Sequence, residues 1–187
     1  VTDGVLVLLG EGLATCTISA DGNTVQAGPA IIGAEVNRRL APLGRKIGPD
    51  PASINAAKIG GMAANNSSGM CCGTAQNSYN TLASIRVLLA DGTLLDTGDS
   101  ASVAAFKISH RSLLERLATL SASVRADKAL AQRIRSKYKI KNTTGYSLNA
   151  LVDYSDPVDI LAHLMIGSEG TLGFISRVTY HTVPEYA

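Results

Sequence analysis

The chain has 187 residues, 45% of them hydrophobic and 17% charged, with a net charge of +2. That is enough apolar material for one domain or two small subdomains. It is too little charge imbalance for a general nucleic-acid field. Tryptophan is absent and aromatic residues make up 4%, which argues against a stacking platform for single strands. Three cysteines, Cys16, Cys71 and Cys72, are too few and too irregular for a disulfide framework. A reducing compartment is expected. The histidines are scattered and no CxxC is present, so no zinc site is expected. No secretory signal pattern opens the chain, and its apolar runs are too short to span a membrane.

Residues 5–9, VLVLL, read as a buried strand. Gly10-Glu11-Gly12-Leu13-Ala14-Thr15 nearly matches a dinucleotide fingerprint. That fingerprint needs a helix to follow, whereas TCTIS follows here, so a plain turn is expected. Residues 15–19 and 24–27 read as strands joined at Asp21-Gly22-Asn23, a strong hairpin signal. Ile32, Val36 and Leu40 recur every four residues, predicting an amphipathic helix that ends near Pro42 and Gly44.

Residues 48–80 show little periodicity, and a loop of that length is rare in a compact domain unless it is functional. Within it stands GGMAANNSSGMCCGT, residues 60–74. Glycine at this density argues against both helix and strand. The expected role is a backbone surface that a pyrophosphate or flat ring approaches directly, helped by Asn65, Asn66, Ser67 and Ser68. No GxxxxGK[ST] pattern is present, so this is not a P-loop. The adjacent Cys71 and Cys72 read as small packing thiols.

Residues 82–89 predict a strand, and Ala90-Asp91-Gly92 a turn into a second strand at 93–96. Residues 101–138 turn helical. Leu113, Leu117, Leu120 and Val124 form one stripe, and Leu130, Ile134 and Tyr138 another. Arg133, Arg135, Lys137, Lys139 and Lys141 read as a solvated helix face. His110, His163 and His181 have no partners nearby in sequence and read as structural. Residues 139–154 are turn-rich. Asp156-Pro157 starts a helix with Ile160, Leu161 and Leu164. Residues 166–175, IGSEGTLGFI, bring a second glycine cluster, and residues 174–183 read as a strand. Hairpins with helices clustered between them predict an α+β fold. Both ends look cut, as if from a longer protein.

Four motifs in order, PDPASINAAKIGGMAANNSSG, LASIRVLLADGTLLDTG, KNTTGYSLNALVDY and IGSEGTLGFIS, resemble the FAD-linked oxidase family with its PCMH-type FAD-binding domain. The nearest branch in appearance holds bacterial D-lactate dehydrogenases and glycolate-oxidase-like enzymes. The resemblance covers roughly residues 23–184. It implies the second subdomain of that domain, a mixed or antiparallel sheet flanked by helices. Residues 1–28 would be a remnant of the first subdomain and 29–187 the second. The family's PxGxGTS-type phosphate loop is not in this sequence, and neither is the substrate cap domain, so catalytic residues are not assigned.

The resemblance implies cofactor contacts along three stretches. Pro51, Ala52, Ser53 and Ile54 would lie along the flavin and diphosphate. Gly60, Gly61, Asn65, Asn66, Ser67, Ser68 and Gly69 would face the ring and ribityl parts. Glu169, Gly170, Thr171, Leu172, Gly173 and Ile175, with Gly145 nearby, would serve the adenosine half. It implies non-covalent FAD, since the family's flavin-linking histidine has no counterpart in these motifs. It implies hydride transfer from a D-2-hydroxy acid, of D-lactate or glycolate type, to FAD N5. A quinone, a cytochrome or an iron–sulfur domain elsewhere in the protein would take the electrons. The alternatives are a non-catalytic flavin- or nucleotide-binding module, or a related oxidase with another alcohol substrate. No nucleic-acid partner is expected. An exposed apolar face would favour a homodimer. The expected location is cytoplasmic, or peripheral at the inner face of the cell membrane.

Overall fold

The computed structural model describes residues 4–70 and 72–185. Among them is a six-stranded antiparallel sheet with seven α-helices, the α+β fold expected. The sheet is built on its last strand. β1 (Cys16–Ile18) and β2 (Thr24–Ala27) form the hairpin that turns at Asp21-Gly22-Asn23. Asp21 holds this turn by accepting from the Ser19 hydroxyl at 2.6 Å and the Asn23 amide N–H at 3.0 Å. β2 pairs along β6 (Phe174–Pro184), and β3 (Arg45–Ile47) pairs with the far end of β6. On the other edge β6 pairs with β4 (Leu82–Leu88), which continues through Asp91-Gly92 into β5 (Leu94–Asp96). The order is β1-β2-β6-β4-β5, so the hairpin within residues 1–28 is hydrogen-bonded into the same sheet as the rest.

Helices cover one face of this sheet. α1 (Gly33–Leu40) buries Val36 and Leu40, and ends through a short 3-10 helix, Ala41–Leu43, at the left-handed Gly44. α3 (Ser100–Ser109), α4 (Arg111–Ala126), α5 (Lys128–Lys137), α6 (Ala150–Asp153) and α7 (Pro157–Met165) make up the helical half. α7 starts as its sequence predicts. Pro157 occupies the first turn, and the Asp156 carboxylate caps the helix by accepting from the Val158 N–H at 2.7 Å. One core joins sheet and helices, with Val25, Ile85, Ile160, Val178 and Tyr180 among its fully buried members.

Four expectations change. Residues 5–9 are outside any strand, and Val5, Leu6, Val7 and Leu8 are 74–93% exposed. Apolarity alone does not make a strand, which needs a partner backbone; this run pairs with no strand among the described residues, although β1 stands at the edge of the sheet. Residues 59–65 are helix, described below. The buried side of α4 is Leu114, Ser121 and Val124, while Leu113 and Leu120 are 41% and 50% exposed. The stripe is rotated because α4 packs on α6, where the Ser121 hydroxyl donates to the Leu151 carbonyl at 2.8 Å. Finally, two of the histidines, still structural, do have partners near in sequence: the Ser109 hydroxyl lies 2.8 Å from His110 Nδ1 and the Asp159 carbonyl 2.8 Å from His163 Nδ1. His110 bonds Asp91 at 2.8 Å and stacks on Phe106. Cys72 is buried, with its sulfur accepting from the Gly69 N–H at 3.0 Å; Cys71 lies outside the described residues. No helix among the described residues is long and apolar enough to cross a membrane.

His163 is buried on α7. Its ring stacks on Tyr154 at 3.9 Å and meets Tyr79 edge-on at 4.9 Å, and its Nδ1 bonds the Asp159 carbonyl at 2.8 Å. Burial pushes its pKa below the usual histidine value, and the Asp159 carbonyl only partly offsets this. The unfolded chain therefore takes up a proton near pH 6.5 that the folded chain refuses until lower pH. This contribution to stability is complete above about pH 6.5 and is lost as pH falls through the folded pKa. Asp21 and Asp91 are held at about 2 by their turn hydrogen bonds, so their contribution declines only in more acid solution. Urea unfolding should therefore show stability dropping between pH 7 and pH 5. The drop should be smaller in His163→Gln, and an unchanged pH dependence in that variant would contradict this account.

Candidate functional site

The two glycine clusters, a hundred residues apart, meet at one place because of α2 (Ile59–Asn65). Glycine disfavours a helix by about 1 kcal/mol each, yet Gly60 and Gly61 open this one. Tertiary burial outweighs the propensity, since Ile59, Met62 and Ala63 are sunk in the core. Gly60 is required by packing: a Cβ there would stand 2.7 Å from the Pro29 Cβ. A Cβ on Gly61 would meet nothing within 4 Å. α2 ends at Asn66, which adopts the left-handed conformation (φ 52°) that only glycine, asparagine and aspartate enter readily. Its buried Oδ1 accepts the Tyr79 N–H at 3.1 Å.

The segment 166–173 docks on the end of α2 by backbone bonds. The Gly167 N–H donates to the Ala63 carbonyl at 3.1 Å, and the Glu169 N–H to Ala64 at 2.8 Å. Asn65 Nδ2 donates to Glu169 Oε1 at 2.5 Å, and the Ser67 hydroxyl donates to Asn65 Oδ1 at 3.0 Å. Glu169 is held at φ 52°, followed by Gly170 at φ 75°. Non-glycine residues in this region are uncommon and gather at functional sites.

Between α2 and this turn lies a cavity of about 320 Å³, at the small end of ligand sites. Six of the residues expected at the cofactor line it: Gly60, Gly61, Glu169, Gly170, Gly173 and Ile175. Leu9, Pro29, Ala64 and Phe174 line it too, and sequence reasoning missed them. Ala64 follows Gly60 and Gly61 at helical spacing, so recognising α2 as a helix would have found it. Glu169 is the one charged side chain on the wall, and the rest is apolar or bare backbone.

The other expected residues lie elsewhere. Asn65 and Ser67 brace Glu169, and Thr171 bonds Tyr146 at 2.9 Å. Asn66 is spent on the Tyr79 N–H. Ser68 is buried, and its carbonyl accepts Lys141 Nζ at 2.8 Å, which gives one member of the basic run a structural partner. Gly69 is fitted so tightly to residue 50 that a Cβ would lie 1.6 Å from the Asp50 carbonyl. Pro51, Ala52, Ser53 and Ile54 form a turn beside α1, with the Ile54 carbonyl accepting the Ala34 N–H at 3.1 Å. None of these four lines the cavity. Leu172 packs toward Leu89, Leu161 and Met165. Gly145 adopts φ 75° near Gly167.

Comparison with known proteins bears on what the cavity takes. A family model described as "FAD binding domain" matches residues 1–98. A D-2-hydroxyglutarate dehydrogenase of Haemophilus influenzae is 28% identical over 177 residues, covering 87% of this chain and 16% of that protein. The chain therefore spans about a sixth of the length of that relative. Two crystal structures of alkyldihydroxyacetonephosphate synthase superpose with a TM-score of 0.50 at 17% identity. They cover 92% of this chain and 20–21% of theirs, and the likeness is one of fold.

The residues present fit part of an FAD molecule. Gly61 and Gly170 leave open the space that side chains would fill, and the largely apolar wall suits a flat ring. A whole dinucleotide exceeds the cavity. Gly61→Val should keep or slightly raise stability, because valine is the better helix former. In the full-length protein containing this chain it should nonetheless lower FAD retention at least tenfold, read from flavin absorbance after gel filtration. Gly60→Val should lose about 2 kcal/mol of stability through overpacking against Pro29. FAD affinity unchanged in Gly61→Val would place the site elsewhere.

Proposed function

Since this chain belongs to the FAD binding domain family, we propose that it forms the cofactor-holding part of a flavin-dependent dehydrogenase that oxidises a D-2-hydroxy acid to the 2-oxo acid. FAD is the cofactor of the family. The observation that carries the reading is the cavity where Gly61 meets Gly170, formed by two segments that the sequence keeps far apart. The relative acting on D-2-hydroxyglutarate supports a hydroxy-acid donor. It also widens the D-lactate or glycolate expectation to a dicarboxylic substrate.

FAD, when bound, supplies the hydride acceptor. The part assigned to this chain is to hold and shield it. The Gly60–Gly61 face of α2 gives a surface without side chains for close approach. Leu9, Pro29, Ala64, Phe174 and Ile175 keep water from the wall. Glu169, fixed by Asn65, places one negative charge at the rim. In this reading FAD is held without a covalent link, and the general base, the substrate contacts and the electron acceptor (a quinone, a cytochrome or an iron–sulfur centre) come from other parts of the protein. In this reading residues 29–187 are the second FAD-binding subdomain, and the protein works in the cytoplasm or against the inner face of the membrane.

The test is anaerobic mixing of the full-length flavoprotein with D-lactate, glycolate, D-2-hydroxyglutarate and L-2-hydroxyglutarate. At least one of the first three should bleach the flavin absorbance within a turnover, and the L-acid should not. Failure of all three in protein that carries its FAD would reject the hydroxy-acid assignment.

A further inference from the structure

On the polar face of the sheet, apart from the glycine-lined cavity, two arginines stand directly opposite each other. Arg86 of β4 pairs in register with Arg177 of β6, and Asp96 of β5 lies on the other side of Arg86. Like charges directly opposite across a ladder destabilise it unless something compensates them. The one counter-charge in this row does not serve Arg86. Asp96 forms its ion pair with the Arg177 guanidinium, which reaches past β4, and its other oxygen accepts the Gly98 N–H at 3.1 Å. Arg86 makes no ion pair among the described residues, and its Nε is buried without a hydrogen-bond partner. A buried, charged donor left unpaired is rare in folded proteins.

The strand geometry directs these groups into one pocket. The pairing shifts between Arg86 and Val87: Arg86 faces Arg177, whereas Val87 faces Ile175. Ser176 is thus the extra residue of a β-bulge, a feature that re-aims neighbouring side chains. The bulge helps to form a cavity of about 350 Å³ lined by Thr15, Thr17, Gln26, Arg86, Ser176 and Arg177. Gly12 and the apolar Leu13 complete the lining; apart from the two guanidinium groups its polar side chains are hydroxyls and an amide, with no carboxylate. It shares no lining residue with the glycine-lined cavity.

The geometry points to a binding site for a small oxyanion, a phosphate or carboxylate group, held by the Arg86 guanidinium with Arg177 and the hydroxyls of Thr15 and Thr17 around it. The planar fork of arginine donors matches either group. The volume admits a metabolite-sized anion rather than a bare ion alone. Such a ligand would supply the counter-charge that Asp96 withholds from Arg86.

The site is testable in the full-length protein with inorganic phosphate and succinate as probes, against chloride at matched ionic strength. Calorimetry and thermal unfolding should show binding of at least one probe, with a raised melting temperature. Arg86→Gln should weaken that binding tenfold or more while leaving FAD content and the fold intact, since Arg86 forms no ion pair and its Nε no hydrogen bond among the described residues. Phosphate and succinate without effect on the wild type would overturn the proposal, and so would equal binding in Arg86→Gln. Loss of FAD in Arg86→Gln would assign the arginine to the cofactor and remove the case for a separate site. Because FAD content is read independently, failure of this site and failure of the flavin assignment are distinguishable.

Discussion

β6 is the strand that every other part of the sheet needs. It hydrogen-bonds β2 along one edge and β4 along the other, and its end receives β3. Its inward residues Ile175, Val178 and Tyr180 are buried, and the Tyr180 hydroxyl donates to the Ser78 hydroxyl at 3.0 Å inside the core. Residues 16–88 thus complete their sheet only with the last eleven-residue strand in place. Pairing of this kind is non-local and carries a high loop-closure cost before it yields contacts.

The same strand positions both cavities. Its first residues emerge from the 166–173 turn, so pairing with β4 delivers that turn against the end of α2. Two residues later the bulge at Ser176 opens the polar pocket on the face away from the helices. The turn itself is held by backbone bonds to Ala63 and Ala64, which exist only because α2 stops at Asn66. Asn66 in turn is fixed by the Tyr79 N–H, and Tyr79 is anchored through its hydroxyl to Asp153 at 2.9 Å and by its ring to His163. The shape of the glycine-lined cavity therefore depends on a buried polar and aromatic network that lines neither cavity.

Legibility in the sequence followed the range of the forces involved. The two hairpins were readable because Asp21-Gly22-Asn23 and Asp91-Gly92 encode their turns within a few residues. The start of α7 was readable because Asp156 and Pro157 cap it locally. α2 was not, because its glycines argue against a helix and only burial of Ile59, Met62 and Ala63 overrides them. Residues 5–9 misled in the opposite direction: their pattern suits a strand, but they pair with no strand among the described residues. The site shows the same division. Gly60, Gly61, Glu169, Gly170, Gly173 and Ile175 were expected at the cofactor and share one cavity, whereas Pro51 to Ile54 stand beside α1.

By itself the amino-acid sequence determined the fold class, the turns, the cap of α7 and the four ordered motifs that point to an FAD-linked family. All of these rest on interactions between near neighbours or on composition within short windows. Tertiary structure alone decided which glycine faces open space and which faces Pro29, which side of α4 is buried, and that Arg86 stands opposite Arg177 without an ion pair among the described residues. Those outcomes depend on the register of β6 against β4 and on what packs over each helix, contacts between residues that are distant in the chain.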